Sequence, residues 1–190
     1  MRYFEWFMDS IHTPKGDLWV LDIPVVQVNG FWMREGTPVT DWNDRFIATY
    51  PPPEFVHVDF QPANWPILSP RFQEFFAKQY PCAFQFLPLR LQMPDGTGEV
   101  QGFAVGQALR RIDCLNRERT RVRKDDWTPR PNGVFNVQGT PCLSKAAIGD
   151  AAVFRIFGTP IKLIVREDVK DAIEAAGFTG CRFREIPTSQ

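Results

Sequence analysis

Histidine and cysteine are the side chains here best suited to metal binding or nucleophilic chemistry, and they are few and widely spaced. The 190 residues contain two histidines and four cysteines: His12, His57, Cys82, Cys114, Cys142 and Cys181. Protein zinc sites use close ligand pairs, and the sequence has no CxxC or CxxxC pair. We therefore predict no metal site and buried, reduced thiols, although two disulfides are formally possible.

His57 could form an acid–base pair with Asp59, because side chains two apart in a strand share one face. Polar side chains that alternate with apolar ones along a strand more often face solvent, however. The sequence also lacks a GxSxG elbow, an HExxH motif, a P-loop and a GxGxxG turn after a strand. We predict no catalytic residue, no cofactor and no enzyme activity. A hydrolase that uses His57 or a cysteine stays as an alternative.

A basic segment, residues 117–124, has the sequence RERTRVRK and could contact phosphate groups. Its arginines alternate with other residues in places, as in an exposed strand, and guanidinium groups suit phosphate geometry. The wider stretch 110–130 has 8 basic but also 4 acidic residues, and Trp127 is the one aromatic near for stacking. A solvated face, or an internal partner for the acidic first third, is therefore favoured. A nucleic-acid-binding module stays as the alternative function.

Charge and aromatic residues are divided unevenly along the chain. Lys and Arg total 22, as do Asp and Glu, so the formal net charge is zero. Residues 1–65 contain 4 basic and 9 acidic residues, a net charge of −5, and residues 66–190 carry a net charge of +5. The first 65 residues also hold half of the aromatic side chains. Most tryptophans there are expected in the core, and the rest would suit contact with a basic protein.

The pattern of predicted elements is α+β. We predict one domain over residues 1–190, with a mixed, largely antiparallel sheet and at least two helices, at residues 69–80 and 166–176. Ser69-Pro70 is a favourable helix start, and Gly177 is a favourable helix end. Both faces of the 83–92 segment are apolar, so this strand should be covered on both sides. Strands are predicted at residues 2–8, 18–23, 55–60, 83–92, 100–108, 134–137, 151–157, 161–165 and 181–186.

Neither export nor membrane insertion is predicted from the sequence. Glu5 and Asp9 interrupt the apolar residues at the amino terminus, which argues against a signal peptide, and no run of about 18 apolar residues occurs. We expect a cytoplasmic protein that does not contact a membrane. The oligomeric state is open, and tryptophan-rich edges are compatible with a homodimer.

Three segments resemble a family of bacterial immunity proteins from polymorphic-toxin systems, typified by a myxobacterial member. They are LSPRFQEFFAKQYPCAFQFLPLRL at residues 68–91, QGFAVGQALRRIDCLNRERTRV at 101–122 and AAVFRIFGTPIKLIVREDVKDAIEAAGFTGCRFREI at 151–186. Phe154-Arg155 and Thr179-Gly180 mark the last segment. The first 65 residues fit loosely, and Asn116 stands where the family often has an acidic residue.

The resemblance implies a protein that binds and inhibits a toxin encoded beside it, often a nuclease, without a catalytic residue or cofactor. Proteins that act on nucleic acid tend to be basic around the substrate cleft. The acidic residues 1–65 would therefore form the side that faces the toxin. Asp41, Trp42 and Asp44 are the best local cluster for this contact, because carboxylates flank an aromatic anchor.

Overall fold

The described part of the chain folds into short strands and three helices. The structure is a computed structural model and describes residues 1–8, 12–13, 16–17, 36–42, 47–49, 59–62, 66–93, 95–123, 127–129 and 133–190. The helices within these ranges are α1 (Pro70–Gln79), α2 (Lys145–Ile148) and α3 (Glu167–Ala175). The strands are β1 (Tyr3–Met8), β2 (His12–Thr13), β3 (Gly16–Asp17), β4 (Ile47–Thr49), β5 (Phe60–Pro62), β6 (Pro66–Leu68), β7 (Phe84–Pro88), β8 (Arg90–Gln92), β9 (Glu99–Val100), β10 (Ala104–Ala108), β11 (Arg111–Ile112), β12 (Leu143–Ser144), β13 (Val153–Ile156), β14 (Thr159–Arg166), β15 (Cys181–Glu185) and β16 (Thr188–Ser189).

The largest sheet joins the two ends of the chain. Its strand order is β11-β13-β14-β1-β15, and β1 lies antiparallel between β14 and β15. A second sheet has four antiparallel strands in the order β5-β6-β10-β7. Three smaller sheets are β4-β8-β9, β12-β16 and β2-β3. The predicted α+β class with largely antiparallel strands is confirmed.

Both large sheets and two helices contribute to the main hydrophobic core. Successive β-strand side chains point to opposite faces, so Phe4 and Trp6 enter this core while Tyr3 and Glu5 lie on the other face of β1. Trp6 stacks on Phe60, with ring centroids 4.3 Å apart. The buried members of this core are Phe4, Trp6, Phe60, Leu68, Phe72, Phe76, Phe84, Ala108, Val153, Leu163, Val165, Val169 and Ile173.

The two predicted helices are confirmed as α1 and α3. Ser69 caps α1, because its side-chain oxygen accepts a hydrogen bond from the Phe72 amide at 3.2 Å, and proline occupies the first helical position. Phe72 and Phe76 form the buried stripe of α1, and Val169 and Ile173 that of α3. No helix among the described residues is long and apolar enough to cross a membrane.

A second core covers the opposite face of the five-stranded sheet. Described residues between 112 and 151, including Ile148 of α2, pack against side chains of β1, β13 and β14. Its buried members are Tyr3, Cys114, Leu115, Phe135, Leu143, Ile148, Ala151, Phe154, Ile156, Ile164 and Ile186. The five-stranded sheet is therefore covered by protein on both faces along part of its length.

The predicted strand at residues 83–92 is two strands in different sheets. β7 ends at Pro88, which has no amide to donate, and the Leu89 amide donates instead to the Phe103 carbonyl at 3.0 Å. The prediction of cover on both sides is confirmed. Phe84 enters the main core, whereas the leucines at 87, 89 and 91 enter a third cluster with Val39, Ile67, Phe103 and Val105.

Two other predicted strands need correction. The 100–108 strand is broken, because Gly102 takes a positive φ of 89° between β9 and β10. The 134–137 segment is not a strand: the Phe135 amide donates to Gly158, and Val137 makes one isolated bridge to Val122. The predicted strand at 18–23 and residues 55–58 of the 55–60 strand lie outside the described residues.

Candidate functional site

Five hydrogen bonds converge on the Asp59 carboxylate, next to the start of α1. Ser69 Oγ donates to Oδ1 at 2.8 Å, and Arg71 donates to both oxygens, from Nε at 3.3 Å and from Nη2 at 2.7 Å. The Thr179 amide and hydroxyl donate to Oδ2 at 3.1 Å and 3.2 Å. We call Asp59, Ser69, Arg71 and Thr179 the aspartate clamp. It joins Asp59 and the start of α1 to Thr179, which lies 120 residues after Asp59 in the sequence.

The aspartate clamp makes Asp59 a structural carboxylate. Burial alone would raise the pKa of Asp59, but hydrogen bonds from Arg71, Thr179 and Ser69 outweigh it and hold the pKa below its ordinary value. A carboxylate kept ionised in this way is a poor general acid near neutral pH. The expectation that Asp59 faces solvent is wrong, because its side chain is only 14% exposed. His57 lies outside the described residues.

Asp59→Asn is expected to lower the free energy of unfolding by about 1–3 kcal/mol, because charge-assisted hydrogen bonds are lost. The lowered pKa sets the pH dependence. The stabilisation by Asp59 is present above the unfolded-state pKa and is lost as the pH falls through the folded-state pKa. Urea unfolding followed by circular dichroism should show that the difference in free energy of unfolding between wild type and variant narrows below about pH 4. A difference in free energy of unfolding that stays constant down to acid pH would contradict this role. So would a loss no larger than that of the exposed control Glu74→Gln.

A second carboxylate, Glu5, is buried on β1, between β14 and β15 of the five-stranded sheet. Lys162 Nζ is 2.6 Å from Oε1, and Arg184 Nη2 is 2.5 Å from Oε2. Burial would raise the pKa of Glu5, but hydrogen bonds from Arg184 and Lys162 outweigh it and lower the pKa. Both carboxylate oxygens are occupied, so Glu5 joins β1, β14 and β15 and is not available to a substrate.

The four cysteines are free thiols in three different environments. Cys114 and Cys142 are buried and Cys181 is half-buried, but Cys82 is exposed, so the prediction of buried thiols is wrong for Cys82. Burial raises the pKa of Cys114 and that of Cys181 to about 12, which keeps both protonated at neutral pH. Within the described residues, no three His, Cys, Asp or Glu side chains form a group that could hold a metal ion.

The predicted contact cluster lies on a segment docked against β7. The Gln85 side chain bonds to both backbone groups of Val39, at 2.7 Å and 2.9 Å. The Trp42 indole donates to the Pro88 carbonyl at 2.7 Å, and the half-buried ring packs against the third core cluster. Asp41 is exposed beside it. Asp44 lies outside the described residues, so the structure brings together two members of the cluster.

The basic segment is a turn rather than an exposed strand. Asn116 Oδ1 accepts from the Glu118 and Arg119 amides at 3.1 Å and 3.0 Å, and the Thr120 amide donates to the Asn116 carbonyl at 2.9 Å. Asn116 Nδ2 also donates to Ser189 Oγ at 2.8 Å. The expectation of a strand is wrong here because the Asn116 side chain satisfies amides that a strand would use for pairing. We call residues 116–123 the arginine turn.

Two groups of polar contacts were not predicted from the sequence: the aspartate clamp and the Glu5 ion pairs. Both depend on contacts between distant parts of the chain, such as Asp59 with Thr179 and Glu5 with Arg184. Local signals existed for each. Thr179 belongs to the Thr-Gly pair of the third family-like segment, and Glu5 interrupts an otherwise apolar strand.

The arrangement described so far is an α+β scaffold in which the Asp59 and Glu5 carboxylates are occupied by structural contacts, with other charged groups exposed on surface turns. Comparison with protein families gives the class: the chain belongs to an immunity protein family (Imm11), whose model matches residues 14–188. The predicted resemblance to an immunity protein family of polymorphic-toxin systems is confirmed, and the match extends well into the first third of the chain. No curated protein matches the sequence.

Proposed function

We propose that this protein neutralises a cognate bacterial toxin in the cytoplasm by binding it directly, and that the toxin has a basic substrate cleft, as nucleases do. Membership of the immunity protein family carries the proposal. The site geometry supports it, because Asp59 and Glu5 are engaged in ion pairs and the pKa values of Cys114 and Cys181 are raised. Inhibition would then depend on the shape and charge of the protein surface.

We infer that Asp41, Trp42 and Asp44 contribute to the surface that faces the toxin. The bond from Trp42 to Pro88 fixes the indole before any partner arrives, which lowers the entropy cost of association. The exposed Asp41 carboxylate would attract basic groups around a substrate cleft. A stable interface buries about 1,200–2,000 Å² in total, so further residues must contribute.

Co-expression with the toxin gene next to the gene for this protein tests the proposed function. Cells that make the toxin alone should stop growing, and cells that also make this protein should grow normally. A pull-down with a catalytically inactive toxin should recover a stable complex. Growth arrest that persists in the presence of well-folded protein would contradict the proposal.

Asp41→Lys combined with Asp44→Lys is expected to slow association with the toxin about tenfold at low salt, because two attractive charges become repulsive. Surface plasmon resonance at two salt concentrations would measure the association rate. The difference in rate between wild type and the double variant should shrink as salt increases. Glu74→Lys on the exposed side of α1 is the matched control and should change the rate little. Unchanged association and unchanged growth protection in the double variant would place the contact elsewhere.

A further inference from the structure

The arginine turn has a backbone that is fixed to the core at both ends. Thr120 is buried, and its hydroxyl bonds to both backbone groups of Cys142, each at 3.0 Å. Val122, also buried, pairs with Val137 in an antiparallel bridge. Together with the Asn116 contacts, these bonds define the directions in which the side chains between them leave the surface. The turn is therefore ordered before any partner binds.

Three arginines of this turn point outwards without a partner in the described part of the chain. Arg119, Arg121 and Arg123 are exposed, and none of their guanidinium groups makes a hydrogen bond, ion pair or ring contact with a described residue. Arg117 differs, because its guanidinium lies 5.5 Å from the Trp127 ring centre. Exposed guanidinium groups on a fixed backbone retain their full capacity for paired hydrogen bonds to carboxylates or phosphates.

We propose that Arg119, Arg121 and Arg123 form a second contact surface, which binds a carboxylate-bearing patch on the toxin. This inference rests on the proposed function and adds a site of opposite charge to the acidic cluster. Arginine is enriched among the residues that dominate protein interfaces, because its planar group forms two parallel bonds to a carboxylate. Preordering of the turn further reduces the entropy lost on binding.

Charges and rings around the turn favour a protein partner over a nucleic acid. Glu118 is exposed within the turn, and the half-exposed Asp113 lies 3.9 Å from the Arg117 guanidinium. A nucleic-acid backbone carries a negative charge at every nucleotide, so phosphates beside those bound by the arginines would lie close to these two carboxylates. A single carboxylate on a folded protein can pair with the arginines without approaching them. The Trp127 ring already contacts Arg117 and packs edge-on against Phe135, with centroids 5.4 Å apart, so it is not placed to stack on a base.

The test compares the full-length protein with variants of the turn for binding to the catalytically inactive toxin encoded by the neighbouring gene. The triple variant Arg119→Ala, Arg121→Ala, Arg123→Ala is expected to bind the toxin at least about 30-fold more weakly. The triple lysine variant keeps the charge but loses the paired geometry, so it should fall between this variant and wild type. Lys78→Ala, which removes an exposed cation from α1, is the matched control. Circular dichroism checks folding, and single alanine variants replace the triple one if it fails to fold.

The outcomes separate this inference from the proposed function. Wild-type affinity in the triple alanine variant would overturn the inference and leave the proposed function standing. Absence of any complex between wild-type protein and toxin would overturn the proposed function, and the inference with it. Titration with a 20-nucleotide single strand and a 20-base-pair duplex at about 50 mM salt tests whether the turn binds nucleic acid instead. Tight binding that only the triple alanine variant loses, with toxin affinity unchanged, would assign the turn to nucleic acid.

Discussion

Trp6→Ala is expected to lower the free energy of unfolding by about 3–5 kcal/mol, which is a large part of the stability of a typical domain. Trp6 is 3% exposed, and its ring lies among aromatic rings from four other elements, β5, α1, β7 and β15. The centroid distances are 4.3 Å to Phe60, 5.5 Å to Phe72 and 5.9 Å to Phe183. These rings are held in turn by further packing, so the space left by an indole cannot close fully.

Guanidinium unfolding followed by far-ultraviolet circular dichroism would measure the effect of Trp6→Ala. Trp6→Phe is the control, because it keeps a ring at the centre of the cluster and should cost less than half as much as alanine. A loss below about 1 kcal/mol for Trp6→Ala would show that the cluster rearranges and that Trp6 does not hold the two sheets together.

Local chemistry explains why both main helices could be predicted from the sequence. In a Ser-Pro pair the serine side chain accepts a hydrogen bond from an amide of the first turn and the proline fixes the first helical φ angle. Ser69 and Pro70 do this at the start of α1, where the donor is the Phe72 amide. The apolar spacing then places Phe72 and Phe76 on one face, and both are buried. Such signals act within one or two turns of the chain, so they do not depend on the rest of the fold.

The order of strands in the sheets could not be predicted in the same way. β1 lies between two strands from the other end of the chain, and alternation along Tyr3–Met8 fixes its two faces but not its neighbours. The 83–92 segment reads as one apolar strand, yet the chain divides it at Leu89, whose amide pairs with Phe103. Pairing between distant segments is decided by the whole core, which local periodicity does not encode.

The candidate site shows the same division between local and distant information. The composition of the arginine turn marks it as a charged surface, but its conformation depends on Asn116, which bonds to Ser189 near the end of the chain. The isolated Asp59 could be read as half of an acid–base pair until Arg71 and Thr179 are seen to occupy its oxygens. A carboxylate's role is therefore set by the donors that the fold brings to it.

Gly158→Ala is expected to destabilise the protein by about 2–5 kcal/mol, through two effects that add. Gly158 links β13 and β14 with a positive φ of 80°, a conformation that side chains with a Cβ adopt at a cost. An added Cβ would also lie 2.1 Å from a ring carbon of Phe135, which is far inside van der Waals contact. The Phe135 amide donates to the Gly158 carbonyl at 2.8 Å, so the two backbones are held together and only a rotation of the buried Phe135 side chain could move the ring away.

Gly177→Ala separates the two effects of Gly158→Ala. Gly177 also has a positive φ, 66°, but no atom lies within 4 Å of an added Cβ, so only the backbone cost of about 1–2 kcal/mol applies. Thermal and guanidinium unfolding of both variants should therefore give a larger loss for Gly158→Ala, and Phe135→Leu in the Gly158→Ala background should recover part of it. Equal losses for the two glycines would mean that the Phe135 ring moves aside freely, and the packing between the 133–137 segment and the β13–β14 turn would then contribute little to stability.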